Sequence, residues 1–349
     1  EMVILLLISA STAVYGSYRV GSLRREAYDA KGVGMYTLRK QIGSGGMGEV
    51  YLAEHRLLKR PCAIKLIRRD KVNDENVLLR FESEVQATAG LTHPNTIEIY
   101  DYGHTEEGTF YYAMEYLPGL NLQEIVERFG ALPPGRVVYL LKQVSSALSE
   151  AHHKKLIHRD IKPGNIFSAE RGGLYDVAKL LDFGLVKDGR QEKNSIDLTM
   201  EGAVVGSPLY TSPEVVTGDG KPDFRSDIYS LGATAYYLLT GKPVFEGESA
   251  LKVVFAHASQ KVKPLTEINP KIPSELEAII LKCLEKKPGN RFQKVEELSH
   301  ALNELKIKEW TQEQATAWWS DAEHFAHKEP GLEQASDYLK ATTILPVNA

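Results

Sequence analysis

The stretch HRDIKPGNIF, residues 158–167, sets Asp160 between Arg159 and Lys162 and adds Asn165 five positions on. A solvated turn reaches that composition by chance. An acid flanked by cations, with an amide nearby, is also what moving a hydroxyl proton beside a bound anion requires. Downstream, KLLDFGLVKD places Asp182 after the apolar pair Leu180–Leu181 and before Phe183–Gly184. An aspartate ending an apolar strand suits Mg²⁺, which takes a few carboxylate or amide oxygens and completes its shell with phosphates and water. In that chemistry Asn165 supplies an amide oxygen and Asp182 a carboxylate. Asp160 is then left to orient an incoming hydroxyl and accept its proton.

Two upstream segments offer groups for phosphates. IGSGGMGEVY, residues 42–51, spaces Gly43, Gly45 and Gly48 as G-x-G-x-x-G. Without Cβ atoms such a backbone approaches phosphate oxygens closely and offers N–H donors. Alone the pattern is weak, because glycine-rich hairpins are common. A dinucleotide fingerprint runs from strand through glycines into a helix, whereas Glu49, Val50 and Tyr51 continue as strand. The glycines are therefore expected in a hairpin that lies over a ligand as a flap. Lys65 follows in CAIKLI. A lysine inside an apolar strand is costly to bury without a partner, and the plain alternative is a lysine snorkelling at a strand end. Glu84, between Phe81 and Val85 on the next helical stretch, is available to pair with it.

The elements that must position these groups fall into two textures. From Tyr36 to about Glu115, β-branched and aromatic runs alternate with glycine or charge breaks, as strands do. One helical stretch, NVLLRFESEVQATAG, interrupts them with Leu78, Phe81, Val85 and Thr88 at spacings of three to four. After Pro118–Gly119 the pattern is helical: LQEIVERF, VVYLLKQVSSALSEAHH, DIYSLGATAYYLLTG, ELEAIILKCLEK and VEELSHALNELK. A sheet-rich unit of about 80 residues before a helix-rich one of about 190 predicts an α+β chain in two lobes. The expected divisions are 1–18, 19–35, 36–117, 118–305 and 306–349. The last, with Trp318 and Trp319, is either an extra helix on the second lobe or a tail.

The totals narrow the class. The 349 residues carry a formal net charge of −4, with 43% apolar and 25% charged residues. That mild acidity lacks the basic surplus of a nucleic-acid footprint. Cys62 and Cys283, each in apolar surroundings, read as reduced core residues rather than a disulfide. Met2–Val14 is an uncharged apolar run, followed by Tyr15, Tyr18, Arg19, Arg24 and Arg25. Thirteen helical residues span only about 20 Å, and counting on to Tyr18 reaches the bottom of the spanning range of roughly 17–25 residues. Tyrosines and then arginines suit the cytoplasmic end of a transmembrane helix, with a docked amphipathic or core helix as the alternative. A signal peptide would carry its positive charges before the apolar run. Since the chain opens on Glu1, this helix is expected to lack its start.

Glycine loop, AIK, HRDIKPGN, DFG and SPE (212–214), in that order, resemble a protein kinase, specifically the bacterial eukaryotic-like (Hanks-type) serine/threonine kinases. The resemblance covers roughly residues 36–305 and implies the two-lobed kinase fold, a small β-rich lobe with one key helix and a larger helical lobe. It implies ATP and Mg²⁺ as cofactors and protein substrates; with the mild acidity and the apolar run above, the expectation is an enzyme without nucleic acid, tethered in the membrane with its kinase domain in the cytoplasm. The resemblance also implies autophosphorylation, in trans within a homodimer. Lys65 would hold the α- and β-phosphates and Glu84 would position it. Asp160 would be the catalytic base, and Lys162 would neutralise the transferring phosphoryl group, as in serine/threonine kinases. Asn165 and Asp182 would bind Mg²⁺. Ile42, Gly43, Ser44, Gly45, Gly46, Met47 and Gly48 would cover the nucleotide. The adenine would lie between Val50 and Ala63 above and Phe167 below, against the hinge Glu115–Tyr116–Leu117, with Met114 at the back. Asp227 would anchor the 158–160 loop and Arg291 would pair with Glu214.

The likeness has departures. Ser212 replaces the alanine of A-P-E, Ser207 a usual threonine, and polar Thr88 stands where kinases place an apolar residue in the column with His158 and Phe183. In the loop before Glu214, Thr199 is the expected autophosphorylation site, Arg159 the expected receiver of a loop phosphate, and Glu201 a partial stand-in for a second phosphate. An active kinase is the leading reading. A pseudokinase would usually lack one of Lys65, Asp160 and Asp182, and GSPLYTSPE argues against a small-molecule kinase.

Overall fold

Strand-forming runs in the first third pair into one antiparallel sheet. In the computed structural model, which describes residues 32–44, 48–67, 82, 85–105, 108–183, 208–217 and 222–326, this sheet has five strands. They are β1 (Tyr36–Ser44), β2 (Gly48–His55), β3 (Pro61–Ile67), β4 (Ile99–His104) and β5 (Phe110–Glu115), in the order β1-β2-β3-β5-β4. Central β3 is buried from Cys62 to Ile67. Side chains alternate between faces along a strand. Ile64 and Leu66 thus join Tyr36, Leu38 and Tyr111 in one apolar layer. Ile67 joins Val85, Phe110 and Tyr112 in the other, and Lys65 shares that second face. Val85 belongs to a helical segment ending at residue 89.

Beyond β5 the chain becomes helical, as its periodicity predicts: α1 (Leu122–Phe129), α2 (Pro134–His153), α3 (Pro213–Thr217), α4 (Phe224–Thr240), α5 (Ala250–Ser259), α6 (Ser274–Cys283), α7 (Val295–Asn303) and α8 (Gln312–Ala326). Asn121 and Glu124 cap α1 reciprocally, each side chain accepting from the other's backbone N–H. Helix α4 is buried nearly all round, from Ser226 to Tyr236 without a break, which makes it the central rod of this half. Its Ile228, Leu231 and Leu238 meet Leu140, Val144 and Leu148 of α2 in one continuous core.

Sequence periodicity did not announce a second, three-stranded sheet: β6 (Gly119–Asn121), β7 (Ile166–Arg171) and β8 (Leu174–Leu180). Its strands are short and split by the whole of α1 and α2. Residues 91–97 stitch it to the first half. Glu150 of α2 accepts from the backbone N–H groups of Thr92 and His93, and Leu180 N–H donates to Asn95 O at 2.7 Å.

The terminal divisions are described only in part. Of the last division, residues 306–326 lie against the helical half and contain α8, while 327–349 fall outside the described residues. The membrane helix expected at 1–18 and the connector up to residue 31 fall outside them as well. Among the described residues no helix is long and apolar enough to cross a membrane. Cys62 and Cys283 are free and buried, one in each half.

Candidate active site

The loop from His158 to Asn165 is held from beneath. Asp227, near the start of α4, accepts from the backbone N–H of His158 and of Arg159, each at 2.8 Å, and from Nε2 of His152 at 2.9 Å. Arg159 needs this support because its φ of +63° lies in the left-handed region that side chains disfavour. His158 is fully enclosed. Burial lowers its pKa and so favours the neutral ring. Its Nε2 lies 2.8 Å from Leu181 O, which accepts only, while Nδ1 accepts from Asp160 N–H at 3.3 Å. The proton is therefore assigned to Nε2. The same ring packs against Phe183 at 4.6 Å between centroids, tying this loop to the segment carrying Asp182.

On that base Asp160 is positioned from two sides. Its Oδ2 accepts from Lys162 Nζ at 2.7 Å and from Asn165 Nδ2 at 2.8 Å. Asn165 Nδ2 also donates to Asp160 O at 2.9 Å. Both bonds to the carboxylate fall on Oδ2, so Oδ1 is the oxygen left for a hydroxyl among the described contacts. Asp160 and Lys162 stay partly exposed, at 31% and 27%, as groups meeting a substrate must.

Asp182 has a φ of +41° and lies across from the sheet. Lys65 Nζ sits 3.1 Å from its Oδ1, and Tyr112 OH donates to the same oxygen at 3.3 Å. The lysine is therefore paired inside the cleft rather than snorkelling. Among the described residues Asn165 uses only its Nδ2 in its side-chain bonds, which leaves its amide oxygen for a cation. Leu181 N–H donates to Asn165 O at 2.9 Å and links the two prospective metal residues. Among the described residues no cluster of three or more His, Cys, Asp or Glu side chains closes around an ion. An amide oxygen plus one carboxylate therefore fits Mg²⁺ shared with phosphates, not a closed protein cage.

Met114, Leu117 and Phe167 converge with Ile97 and Ala169 in one apolar patch, and Val50 pairs with Lys65 on the adjoining strands. The flap is a hairpin as expected: β1 and β2 pair out to Gly43–Val50 and Ser44–Glu49. Ile42, at its start, is 45% exposed. Gly45, Gly46 and Met47 lie outside the described residues, as do Glu84, Thr199, Glu201 and Ser207.

Glu115, expected beside the adenine as part of the hinge, has a fully buried side chain bonded to Lys179 Nζ at 2.6 Å, to Arg171 and to the backbone N–H of Glu98. Any contribution to a purine is confined to its main chain. Lys179 and Arg171 were missed, although a lysine between Ala178 and Leu180 repeats the signal that marked Lys65. Thr88 is buried, and its hydroxyl has no hydrogen-bond partner among the described residues. Glu214 does pair with Arg291, through two bonds of 2.9 and 2.7 Å. Burial would raise this carboxyl, but the arginine and Ser226 outweigh it and hold it below the usual range.

Comparison with known proteins agrees with this geometry. The chain is 36% identical over 312 residues to the serine/threonine-protein kinase PrkC of Bacillus subtilis, covering 89% of this chain and 44% of that one. It is 39% identical over 258 residues to the serine/threonine-protein kinase pkn3 of Myxococcus xanthus, covering 73% and 47%. It thus spans less than half the length of these curated relatives. The crystal structure of the Mycobacterium tuberculosis PknI kinase domain superposes with a TM-score of 0.59 at 27% identity, covering 79% of this chain and 98% of that one. The sheet-rich and helical halves are accordingly the two lobes of a kinase fold. Residues 36–303 match the protein kinase domain model, and the chain belongs to the protein kinase family.

Proposed function

We propose that this chain transfers the γ-phosphoryl group of Mg-ATP to serine or threonine hydroxyls of proteins, itself included, in bacterial signalling. The observation that carries the reading is Asp160, held by Lys162 and Asn165 and set across from the Lys65–Asp182 pair. Oδ1 of Asp160 orients the hydroxyl and takes its proton as the oxygen–phosphorus bond forms and the bond to the leaving ADP breaks. Lys162 offsets charge on the transferring group, and Lys65 holds the neighbouring phosphates. Mg²⁺, taken by Asn165 and Asp182, would supply charge neutralisation along the phosphate chain. Catalysis of this kind is positioning plus fixed charge.

Asp160→Asn is expected to lower phosphoryl transfer to a generic protein substrate by about 10²-fold or more, with nucleotide binding retained. Transfer within tenfold of the parent in a folded variant sinks the assignment. A parent that binds nucleotide but transfers nothing is a pseudokinase, and one that phosphorylates only small molecules belongs to another class.

The apolar run 2–14 with arginines behind it supports a tether in the cell membrane, with the catalytic lobes on the cytoplasmic side. Deleting residues 1–18 is expected to move the protein from the membrane fraction to the soluble one with activity intact. An unchanged distribution, or aggregation of the shortened chain, overturns the tether.

A further inference from the structure

Asp176, in β8, is fully buried, and its carboxylate accepts five hydrogen bonds. Arg136 donates from Nε at 2.8 Å and Nη2 at 2.7 Å, and Ser168 from Oγ at 2.7 Å. Trp310 and Trp319 each donate from Nε1 at 2.7 Å. The last two come from the segment after the kinase match. The Arg136 guanidinium lies 3.7 Å from the ring centre of Trp318, a cation–π contact closed off from water. Gln312 bonds Tyr175 through both its N–H and its O, each at 3.0 Å. Gly135 makes room for the segment, since a Cβ there would meet Lys308 O at 2.4 Å. A buried ion pair holds only when its remaining donors and acceptors are satisfied. Here Trp310 and Trp319 complete the carboxylate's shell and the Trp318 ring covers the guanidinium, whose Nη1 has no hydrogen-bond partner among the described residues, so the surface is built for this segment.

Strand β8 also carries function. Asp176 precedes Asp182 by six positions, and its partner Ser168 follows Phe167, the expected adenine floor. From the same hairpin Lys179 and Arg171 hold the hinge residue Glu115. One two-stranded unit thus joins the tryptophan segment to the hinge, to Phe167 and to the Asn165–Asp182 pair.

We propose that residues 310–319 are a latch whose docking on Arg136 and Asp176 positions the β7–β8 hairpin for nucleotide. The inference rests on the Mg-ATP reading of the cleft. Asp176, Trp310 and Trp319 are positioning residues that act through the hairpin.

The chain's three tryptophans, Trp310, Trp318 and Trp319, all lie in this segment, so intrinsic fluorescence of the full chain reports the latch alone. Two variants open it without touching the cleft: Trp319→Phe, which removes one N–H and keeps a ring, and Gly135→Ala, which pushes the segment outward. Each is expected to red-shift the emission and raise the KM for ATP roughly three- to tenfold, with kcat and the KM for protein substrate within about twofold. Saturating Mg-ADP is expected to reverse part of the red shift, because coupling between two sites is reciprocal. A red-shifted emission with an unaltered KM for ATP overturns the proposal and leaves the segment as packing. Should either variant fail to fold or keep the parent emission, truncation after Lys308 replaces it, read by calorimetric Mg-ADP affinity, and parental affinity then refutes the latch. Because Mg-ADP binding is measured apart from turnover, a parent that binds it without transferring phosphate refutes the kinase reading and leaves the latch to be judged on affinity.

Discussion

Below the cleft, residues 158–165 are pinned by side chains reaching to main chain, whereas above it β1, β2 and β3 are held by a regular strand ladder. The lower loop contains a backbone that strands and helices do not supply. Arg159 has positive φ, as does Asp182 after β8, and such conformations persist only where surrounding groups over-determine them. Asp227, His158 and Asn165 are those groups. The upper hairpin has ordinary strand pairing from Tyr36–His55 to Ser44–Glu49, with two bulges, so its shape depends on backbone and small residues. On the proposed reading the lower face must place a proton acceptor to within a hydrogen bond, whereas the upper face must only lie close to phosphates.

The sharpest way to break this contrast is Asp227→Ala. It strands three donors at once, the N–H groups of His158 and Arg159 and Nε2 of His152, the first and last in buried bonds and the second in a part-buried one. Each unsatisfied buried group costs about 1–3 kcal/mol. A loop that relaxes by about an ångström loses about 10²-fold in rate. The variant is expected to lose at least that much kcat, and several kcal/mol of stability by urea unfolding, with a smaller change in the KM for ATP. Parental kcat together with a parental unfolding midpoint would show that the loop holds itself.

The same contrast explains what was legible in the sequence. Residues of the lower face announce themselves as charged or amide tokens at fixed spacing, and Asp160, Lys162, Asn165 and Asp182 all gather where that spacing puts them. Asp227 and Arg291 were legible only through the resemblance, because their partners lie 68 and 77 positions away. The second sheet was hidden for a related reason, its strands being short and separated by two helices. Lys179, Arg171, Arg136 and Asp176 lie in helices and strands whose period says only that they face inward. Their meaning depends on long-range partners that no local pattern encodes. Glu115 shows the converse: the resemblance marked its position, but nothing local showed that its side chain is spent on Lys179, Arg171 and the Glu98 N–H.

A smaller effect tests the upper face. At Gly48 an added Cβ would lie 2.4 Å from Leu66 O, a backbone atom of the neighbouring strand that cannot swing aside. At Gly43 the nearest atom is Val50 Cβ at 3.6 Å, an ordinary contact. Gly48→Ala must therefore push β2 from β3 beside Lys65, whereas Gly43→Ala need not move a strand. If the roof acts by lying close to phosphates, Gly48→Ala should raise the KM for ATP about tenfold and lower stability by about 1–3 kcal/mol, with kcat changed far less than in Asp227→Ala. Gly43→Ala should be the milder of the two in both respects. The measurement is a pair of ATP titrations at saturating protein substrate, beside thermal unfolding of each variant. Equal losses in the two variants would mean that glycine's freedom at the flap matters more than the approach of the strands. A fall in kcat as large as that of Asp227→Ala would show that the roof, like the floor, is held to catalytic tolerance.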